Sequence, residues 1–411
     1  MKFFYTIGIY ITDLVLQVVA LFNQKIRLGV NGRKHTFDIL ESSISKDDMV
    51  IWMHCASLGE YEQGLPVLKA LKIKYTDYKT VVSFFSPSGY EVKKDSNDID
   101  TAVYIPLDTK KNAKRFLNLV NPKLIVFVKY DIWPNILLEA KKRQLKSILI
   151  SATFRPQQPY FKWYGKLMRK ALFTFEHIFT QDENSKQLIE SIGYNSVSVS
   201  GDTRFDRVSS QLKMNNAVSF IKDFIEDKTT IVFGSSWPAD DSLFIPFINS
   251  NTHKNVKYII APHTIKDSYI DTLVNQIDLK VIRFSEMQGK SLSDYNVFIL
   301  DTIGYLSRVY SYADIVYIGG GAGHTGLHNI LEPAVFGTPI LIGKNYKKFP
   351  EAKALIDLKG VLSVTNAKDM GLNLQKLINS KETRQEIGQI NYNYIKKNTG
   401  AVDQILDYTR I

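Results

Sequence analysis

At 411 residues, with 45% hydrophobic and 23% charged side chains, the chain is too long for one ordinary core and too apolar to be disordered, so two or three folded domains are expected. The formal charge of +11 is lopsided: residues 1–208 hold 30 Lys and Arg against 21 Asp and Glu, or +9, whereas residues 209–411 hold 22 against 20, or +2. A basic first half favours anionic partners, but no nucleic-acid motif, zinc-ligand spacing or Arg-rich helix accompanies it, so no nucleic acid is expected, and the single Cys55 excludes an internal disulfide and fits a reducing compartment.

Between Phe3 and Phe22 fifteen of twenty side chains are apolar or aromatic. That length just spans a bilayer, yet Asp13 at its centre is costly in hydrocarbon, so a helix lying in or tilted through the interface competes with a full span. A buried first helix of a soluble fold is the bland alternative. Lys2 is the only early charge and Leu21-Phe22-Asn23 is a poor cleavage site, so removal as a signal peptide is not expected. Lys25, Arg27, Arg33 and Lys34 follow directly and would hold the downstream chain on the cytoplasmic, anionic face of an inner membrane. Residues 1–24 are therefore expected to form a membrane-associated anchor helix.

From residue 50 onward short apolar runs alternate with amphipathic segments, the signature of strand–helix–strand units around a parallel sheet. Val50–His54, Thr80–Phe85, Ala102–Ile105, Leu124–Val128, Ser147–Ile150, His177–Thr180 and Val197–Ser200 read as the strands of a first domain, 25–208. The stretch from Ser209 to Asn216 is polar enough for a linker. Thr230–Phe233, Tyr258–Ala261, Lys280–Ile282, Val297–Leu300, Ile315–Ile318, Pro339–Ile342 and Val361–Val364 form a second series of the same kind, in a domain of residues 209–411 whose last helix packs back on the first. The fold class is α/β, and open parallel sheets bind ligands at the carboxyl ends of their strands, here expected to face a shared cleft.

Glu60 follows the first strand at a turn into a helix expected from about Tyr61. It is either a first-turn acid suited to the helix dipole or a general base whose proton affinity is set by burial and neighbours. Ser57 and Gly59 flank it, Gly59 leaving room for an acceptor. After the second strand, Ser86 and Ser88 either hydrogen-bond a sugar or phosphate, or cap a helix. Lys129 and Asp131 close the fourth strand and either pair with each other or face a ligand. In the second domain Ser235 opens a candidate anion turn, and His263 follows the next strand. Ile315–Ile318 then runs into Gly319-Gly320-Gly321-Ala322-Gly323-His324-Thr325-Gly326, with a helix expected near His328 or Asn329. Glycine amides and a helix start are built to hold a phosphate, with Glu332 one turn later in reach of a sugar hydroxyl. A tight turn with a capping Asn329 and a solvated Glu332 is the alternative. His324 and His328 lack partners at ligand spacing, so no metal is expected.

These residues resemble the 3-deoxy-D-manno-octulosonic acid (Kdo) transferases of lipopolysaccharide synthesis over nearly the whole chain. The resemblance rests on the apolar N-terminal segment, Ser57-Leu58-Gly59-Glu60, Trp133-Pro134-Asn135, Gly201-Asp202 before Phe205-Asp206, Gly234-Ser235, Asp301-Thr302-Ile303-Gly304, and Gly319-Gly320 with His328-Asn329-Ile330-Leu331-Glu332. It implies a GT-B fold of two Rossmann-like domains, Glu60 as catalytic base, and Gly319, Gly320, Asn329 and Glu332 at the cytidine nucleotide. Lys129-Tyr130-Asp131 stands where the family commonly has Glu-Thr-Glu, Pro262-His263 where it has Pro-Arg-His, and Tyr305 where it has Glu. The expected reaction is inverting transfer of Kdo from CMP-Kdo to a primary hydroxyl of the lipid A precursor, lipid IVA, without cofactor or metal. Its charge would be neutralised by main-chain donors at Gly319–Gly321 and Ser235–Ser236. A GT-B enzyme using a UDP- or ADP-sugar and a non-catalytic, membrane-tethered glycolipid-binding protein are the competing readings.

Overall fold

The computed structural model describes residues 2–250 and 255–411; Met1, the first residue of the expected anchor, and residues 251–254 lie outside the description. The chain divides into two compact units, one of residues 1–207 with 399–411 and one of residues 208–398. Each holds one seven-stranded sheet, parallel throughout.

In the first unit the strands are β1 (Met49–Cys55), β2 (Tyr78–Phe84), β3 (Thr101–Tyr104), β4 (Pro122–Val128), β5 (Lys146–Ala152), β6 (His177–Thr180) and β7 (Val197–Val199), ordered β3-β2-β1-β4-β5-β6-β7. In the second they are β8 (Thr229–Ser236), β9 (Val256–Pro262), β10 (Val281–Arg283), β11 (Val297–Ile299), β12 (Ile315–Ile318), β13 (Ile340–Gly343) and β14 (Val361–Val364), ordered β10-β11-β9-β8-β12-β13-β14. Every strand expected from the sequence is present. Their β-branched and aromatic side chains are buried on both faces, as a sheet covered by helices on both sides requires. Separate apolar clusters form behind the two faces of the first sheet, and another packs the second unit.

Strand order reverses beside β1 in the first sheet and beside β8 in the second. The loops leaving β1 and β4 are therefore neighbours, as are those leaving β8 and β12. Such switch points are where open α/β sheets receive ligands.

Two expectations need correction. The segment from Ser209 to Asn216 is not all linker: the helix Thr203–Ser210 runs into it and a 3-10 turn, Gln211–Lys213, follows. The Gly-rich turn does not hand over to a helix at His328 or Asn329. The chain stays irregular until Leu331, and the helix Leu331–Ala334 is a single turn, because the amide of His328 folds back onto Gly319 O at 3.1 Å.

The helix Lys2–Ala20 is the one described helix long and apolar enough to cross a membrane. Its two faces differ. Tyr5, Ile9, Asp13, Leu16 and Ala20, at helical spacing, are half-buried or buried, whereas Phe3, Phe4, Ile7, Ile11, Leu14, Val15 and Val18 are exposed. Tyr5 fixes the packed face by donating to Asp108 Oδ2 at 2.8 Å. The buried Asp108 carboxylate also accepts from the amides of Asn135 (2.8 Å) and Ile136 (3.0 Å), capping the helix Pro134–Lys142. Burial pushes its carboxyl up to about 6 despite these donors. The last helix, Ala401–Tyr408, belongs to this unit too, with Lys74 Nζ donating to Leu406 O at 2.7 Å.

Asp108→Ala would leave three donors without their acceptor. A loss of about 2–4 kcal/mol is expected, since each unpaired buried donor costs roughly 1–3 kcal/mol and relief of the buried acid offsets part. Denaturant unfolding of the variant checks this.

Candidate active site

In the first unit the candidate base sits at the switch point. The helix Leu58–Lys74 begins one turn earlier than the sequence suggests, at Leu58, which puts Glu60 inside its first turn. There the side chain is only 7% exposed, and Oε2 accepts from the amide of Ala56 at 2.5 Å. Burial holds its carboxyl above the usual range, and the charge of Asp131 adds to this, while the Ala56 amide, His54 and Lys129 pull the other way. A carboxylate that has lost most of its water and keeps one main-chain donor is a better proton acceptor than an exposed one.

Asp131 does not pair with Lys129, the simple pairing the sequence allowed. Its Oδ2 accepts from Trp133 Nε1 at 2.9 Å and lies 2.8 Å from His54 Nε2. His54 is fully buried in β1, its Nδ1 2.9 Å from Ser83 Oγ, which accepts from Trp52 Nε1 at 2.8 Å. This chain, Trp52–Ser83–His54–Asp131–Trp133, buried except at Asp131, is not evident from the sequence. A histidine inside the apolar run Val50-Ile51-Trp52-Met53-His54 is its one local sign.

The flanking residues divide. A Cβ placed on Gly59 would meet nothing within 4 Å, so the space beside Glu60 is open. Ser57 precedes the helix without making a side-chain cap bond. Ser86 is a helix cap, the plainer of its two expected roles. Its Oγ accepts from the Ser88 amide at 3.3 Å at the start of the helix Pro87–Lys93, and lies 3.0 Å from Ser88 Oγ. The Ser86 amide donates to Ala56 O at 2.8 Å, tying this loop to the Glu60 turn.

In the second unit the structure gathers Ser235, His263, Gly319 and Gly320 at the adjoining ends of β8, β9 and β12. What fills the Gly-rich turn is a side chain of the protein. Asp240, fully buried in the first turn of the helix Pro238–Ser250, accepts from the amides of Trp237 (3.0 Å), Gly320 (2.7 Å) and Ala322 (3.2 Å) and from Tyr317 Oη (2.6 Å). The Gly319 amide donates to Gly234 O at 2.9 Å. The expectation that the amides of Gly319 and Gly320 are available to an anion is therefore corrected. Their glycines serve close packing: a Cβ on Gly319 would lie 2.3 Å from Ser235 O, and one on Gly320, whose φ is +87°, 2.0 Å from Gly326 O. The Gly321 carbonyl accepts from the Asn345 amide at 2.9 Å.

Around this plug lies an aromatic stack. Trp237 stacks on the exposed His263 at 4.5 Å and 24°, and His263 lies 4.5 Å from His328. Trp237 Nε1 donates to His328 Nε2 at 3.0 Å. An indole nitrogen only donates, so that imidazole nitrogen must carry a lone pair and the ring is neutral. Burial, with His263 beside it, accordingly pulls His328 down to about 4. Asn329 precedes the N-cap residue Ile330, its Oδ1 accepting from the Leu331 amide at 3.1 Å, and its Nδ2 donates to Glu332 Oε1 at 3.1 Å, so Glu332 is held and half-buried rather than freely solvated. Among the described residues no group of three or more His, Cys, Asp and Glu is placed to hold a metal.

Comparison with known proteins follows the same division. The family model described as 3-deoxy-D-manno-octulosonic-acid transferase (kdotransferase) matches residues 27–207. The 3-deoxy-D-manno-octulosonic acid transferase of Haemophilus influenzae is 25% identical, covering 99% of this chain and 97% of its own. Among solved structures, the UDP-GlcNAc 2-epimerase of Neisseria meningitidis bound to UDP-GlcNAc superposes with a TM-score of 0.62 at 16% identity, over 87% of this chain and 99% of its own. MurG of Acinetobacter baumannii does so at 0.55 and 11%, over 88% and 98%. The two structures share the fold, which is of the GT-B type.

The His328 ring yields a pH prediction. Its folded-state value lies below the ordinary 6.5, so the unfolded chain takes up the proton first, and stability present above about 6.5 is lost as the pH falls towards 4. The loss from this ring is about 1–2 kcal/mol once its partial solvent exposure is allowed for. His328→Gln, which keeps an acceptor for Trp237, should remove that part of the pH dependence in thermal unfolding between pH 7 and 4.

Proposed function

We propose that the chain is a glycosyltransferase of the 3-deoxy-D-manno-octulosonic acid transferase family, a reading supported by the family-model match and by relatives of that name, and that it moves Kdo from CMP-Kdo to a primary hydroxyl of the lipid A precursor, lipid IVA, with inversion. The observation that carries this reading is Glu60, a buried carboxylate of raised proton affinity beside the open space at Gly59. In the reaction, Glu60 takes the proton of the acceptor hydroxyl and the alkoxide oxygen forms the new bond to the anomeric carbon. The bond from that carbon to the phosphate oxygen breaks, its electron pair leaving with CMP. Attack from the side opposite the leaving group inverts the centre.

The donor is assigned to the second unit. With the Gly319 and Gly320 amides engaged inside the unit, these two glycines shape the subsite, and the donors toward CMP are the Ser235 hydroxyl, the Gly321 amide and the exposed ring of His263. Asn329 and Glu332, already fixed to each other, present polar atoms toward the nucleotide. Charge growing on the leaving phosphate is met by such preorganised donors, the role that often dominates catalysis of this kind. The protein's own groups carry that charge, and no metal is assigned a part.

The first helix supports a place at the cytoplasmic face of the inner membrane. One face is packed and the other presents Phe3, Phe4, Ile7, Ile11, Leu14, Val15 and Val18 to the surroundings. Burial of that face beside Lys25 and Arg27 suits a helix lying in an anionic interface.

Glu60→Gln should retain CMP-Kdo binding and lose about 10²-fold or more in turnover, the usual scale for a general base; near-normal turnover would take Glu60 out of that role. Replacing the exposed Ile11 and Leu14 together by Glu leaves the packed face intact and should shift the protein from vesicles to the soluble fraction in flotation assays. Undiminished flotation would place the membrane contact elsewhere.

A further inference from the structure

A cavity of about 370 Å³ lies where the first helix meets the helix Gln24–Lys34 and the loop after β3. Its lining carries three cations, Arg33, Lys34 and Lys111, against one carboxylate, Asp13, together with the apolar surfaces of Leu16 and Phe37. Arg33 is the unusual member. Its guanidinium is half-buried, 4.4 Å above the Phe85 ring and 5.5 Å above that of Tyr104, and burial lowers its proton affinity. Nη2 donates to Phe85 O at 2.6 Å. Its Nε, sealed from solvent, meets no acceptor, and the acid that acts on its charge is Asp13, across the same cavity lining. One carboxylate leaves the three cations of the lining in excess by two, and the guanidinium fork suits phosphate.

Two further observations say what carries the phosphate. Tyr10 lines the cavity and is also 58% exposed, on the helix that shows its apolar side to the surroundings, so the cavity opens beside the surface expected to meet acyl chains. The Phe85 carbonyl that anchors Arg33 directly precedes Ser86, whose amide holds Ala56 O, and the Ala56 amide holds Glu60. The cavity is thus one hydrogen-bonded loop away from the candidate base.

We propose that this cavity seats a phosphate group of the acylated acceptor, gripped by Arg33 with Lys34 and Lys111, and so positions the acceptor's sugar hydroxyl toward Glu60. The identity of the lipid rests on the transferase reading; the existence of a phosphate-lipid site does not.

The test uses the full chain in detergent with lipid IVA and with the same lipid after phosphatase treatment. Arg33→Gln should raise the acceptor KM about tenfold or more, the scale of losing a charge-assisted hydrogen bond, with the KM for CMP-Kdo unchanged and kcat little altered. Lys111→Gln, on an exposed residue, should act in the same direction without touching the fold, and it carries the test if Arg33→Gln melts early. Dephosphorylating the lipid should penalise the wild type and no longer penalise the Arg33 variant. Unchanged acceptor KM in variants that melt like the wild type overturns the proposal. So does a loss confined to binding vesicles of phosphatidylglycerol in phosphatidylcholine, which would make the cavity a general headgroup site. Retention of the two lipids by the protein is measured separately from turnover. Absence of CMP release by the wild type would therefore sink the transferase reading alone, while preferential retention of the phosphorylated lipid, lost in both variants, would still support the site.

Discussion

A carboxylate taken out of water must be met by donors, and both units satisfy this in the first turn of the helix that follows a central strand. Glu60 takes the Ala56 amide behind β1; Asp240 takes the amides of Trp237, Gly320 and Ala322 and the Tyr317 hydroxyl behind β8. The difference between the two sets their roles. Asp240 has four donors on two oxygens and ties β8, β12 and the Gly-rich turn into one rigid corner. Glu60 has a single main-chain donor and a negative neighbour in Asp131, so the same architectural device is left short of hydrogen bonds and responsive to a proton. One acid is fully satisfied at its sheet's switch point; the other keeps bonding capacity to spare.

The plugged turn changes how its glycines are understood. A Gly-rich stretch between a strand and a helix satisfies two demands with the same residues: room for an anion, or room for another piece of backbone. At Gly319 and Gly320 the neighbour is backbone, from Ser235 and Gly326. Asp240 supplies the negative charge that the amides were expected to take from a ligand. The open polar surface then shifts outward to Ser235, His263 and the Asn329–Glu332 pair, around a Trp237–His263–His328 stack in which the half-buried His328 is kept neutral by its own hydrogen bond.

All fourteen strands were legible because each is a short, charge-poor run between amphipathic segments, and a parallel sheet covered on both faces leaves little else for such runs to do. Glu60 was legible as a position, one turn after a strand, but its burial was not. The pairs that give the sites their chemistry were illegible for one reason: His54 meets Asp131 across 77 residues and Asp240 meets Gly320 across 80. Those contacts exist only because β4 lies beside β1 and β12 beside β8. Strand order is a global property, and no local period encodes it. The late start of the helix at Leu331 has a local reason: His328 folds back onto Gly319, nine residues earlier at the start of the same Gly-rich turn, a closure that helical spacing does not reveal. Ser86, by contrast, took its capping role, and that alternative was visible in the sequence as plainly as the functional one.

Asp13 shows how the same residue changes meaning once its face is known. Counted along the sequence, it is an acid in the middle of an apolar stretch, unfavourable for any helix crossing hydrocarbon. On the folded chain it belongs to the packed stripe with Tyr5, Ile9 and Leu16 and lines the cavity shared with Arg33. A spanning orientation would strip that stripe of the domain, cost Tyr5 its bond to Asp108, and put Asp13 into lipid. An orientation along the interface keeps every one of these contacts and still buries Phe3, Ile7, Ile11, Leu14 and Val18. In the proposed function, then, the interfacial orientation is the one that leaves the packed stripe, with the Tyr5–Asp108 bond, engaged by the domain and keeps Asp13 beside the cation-lined cavity.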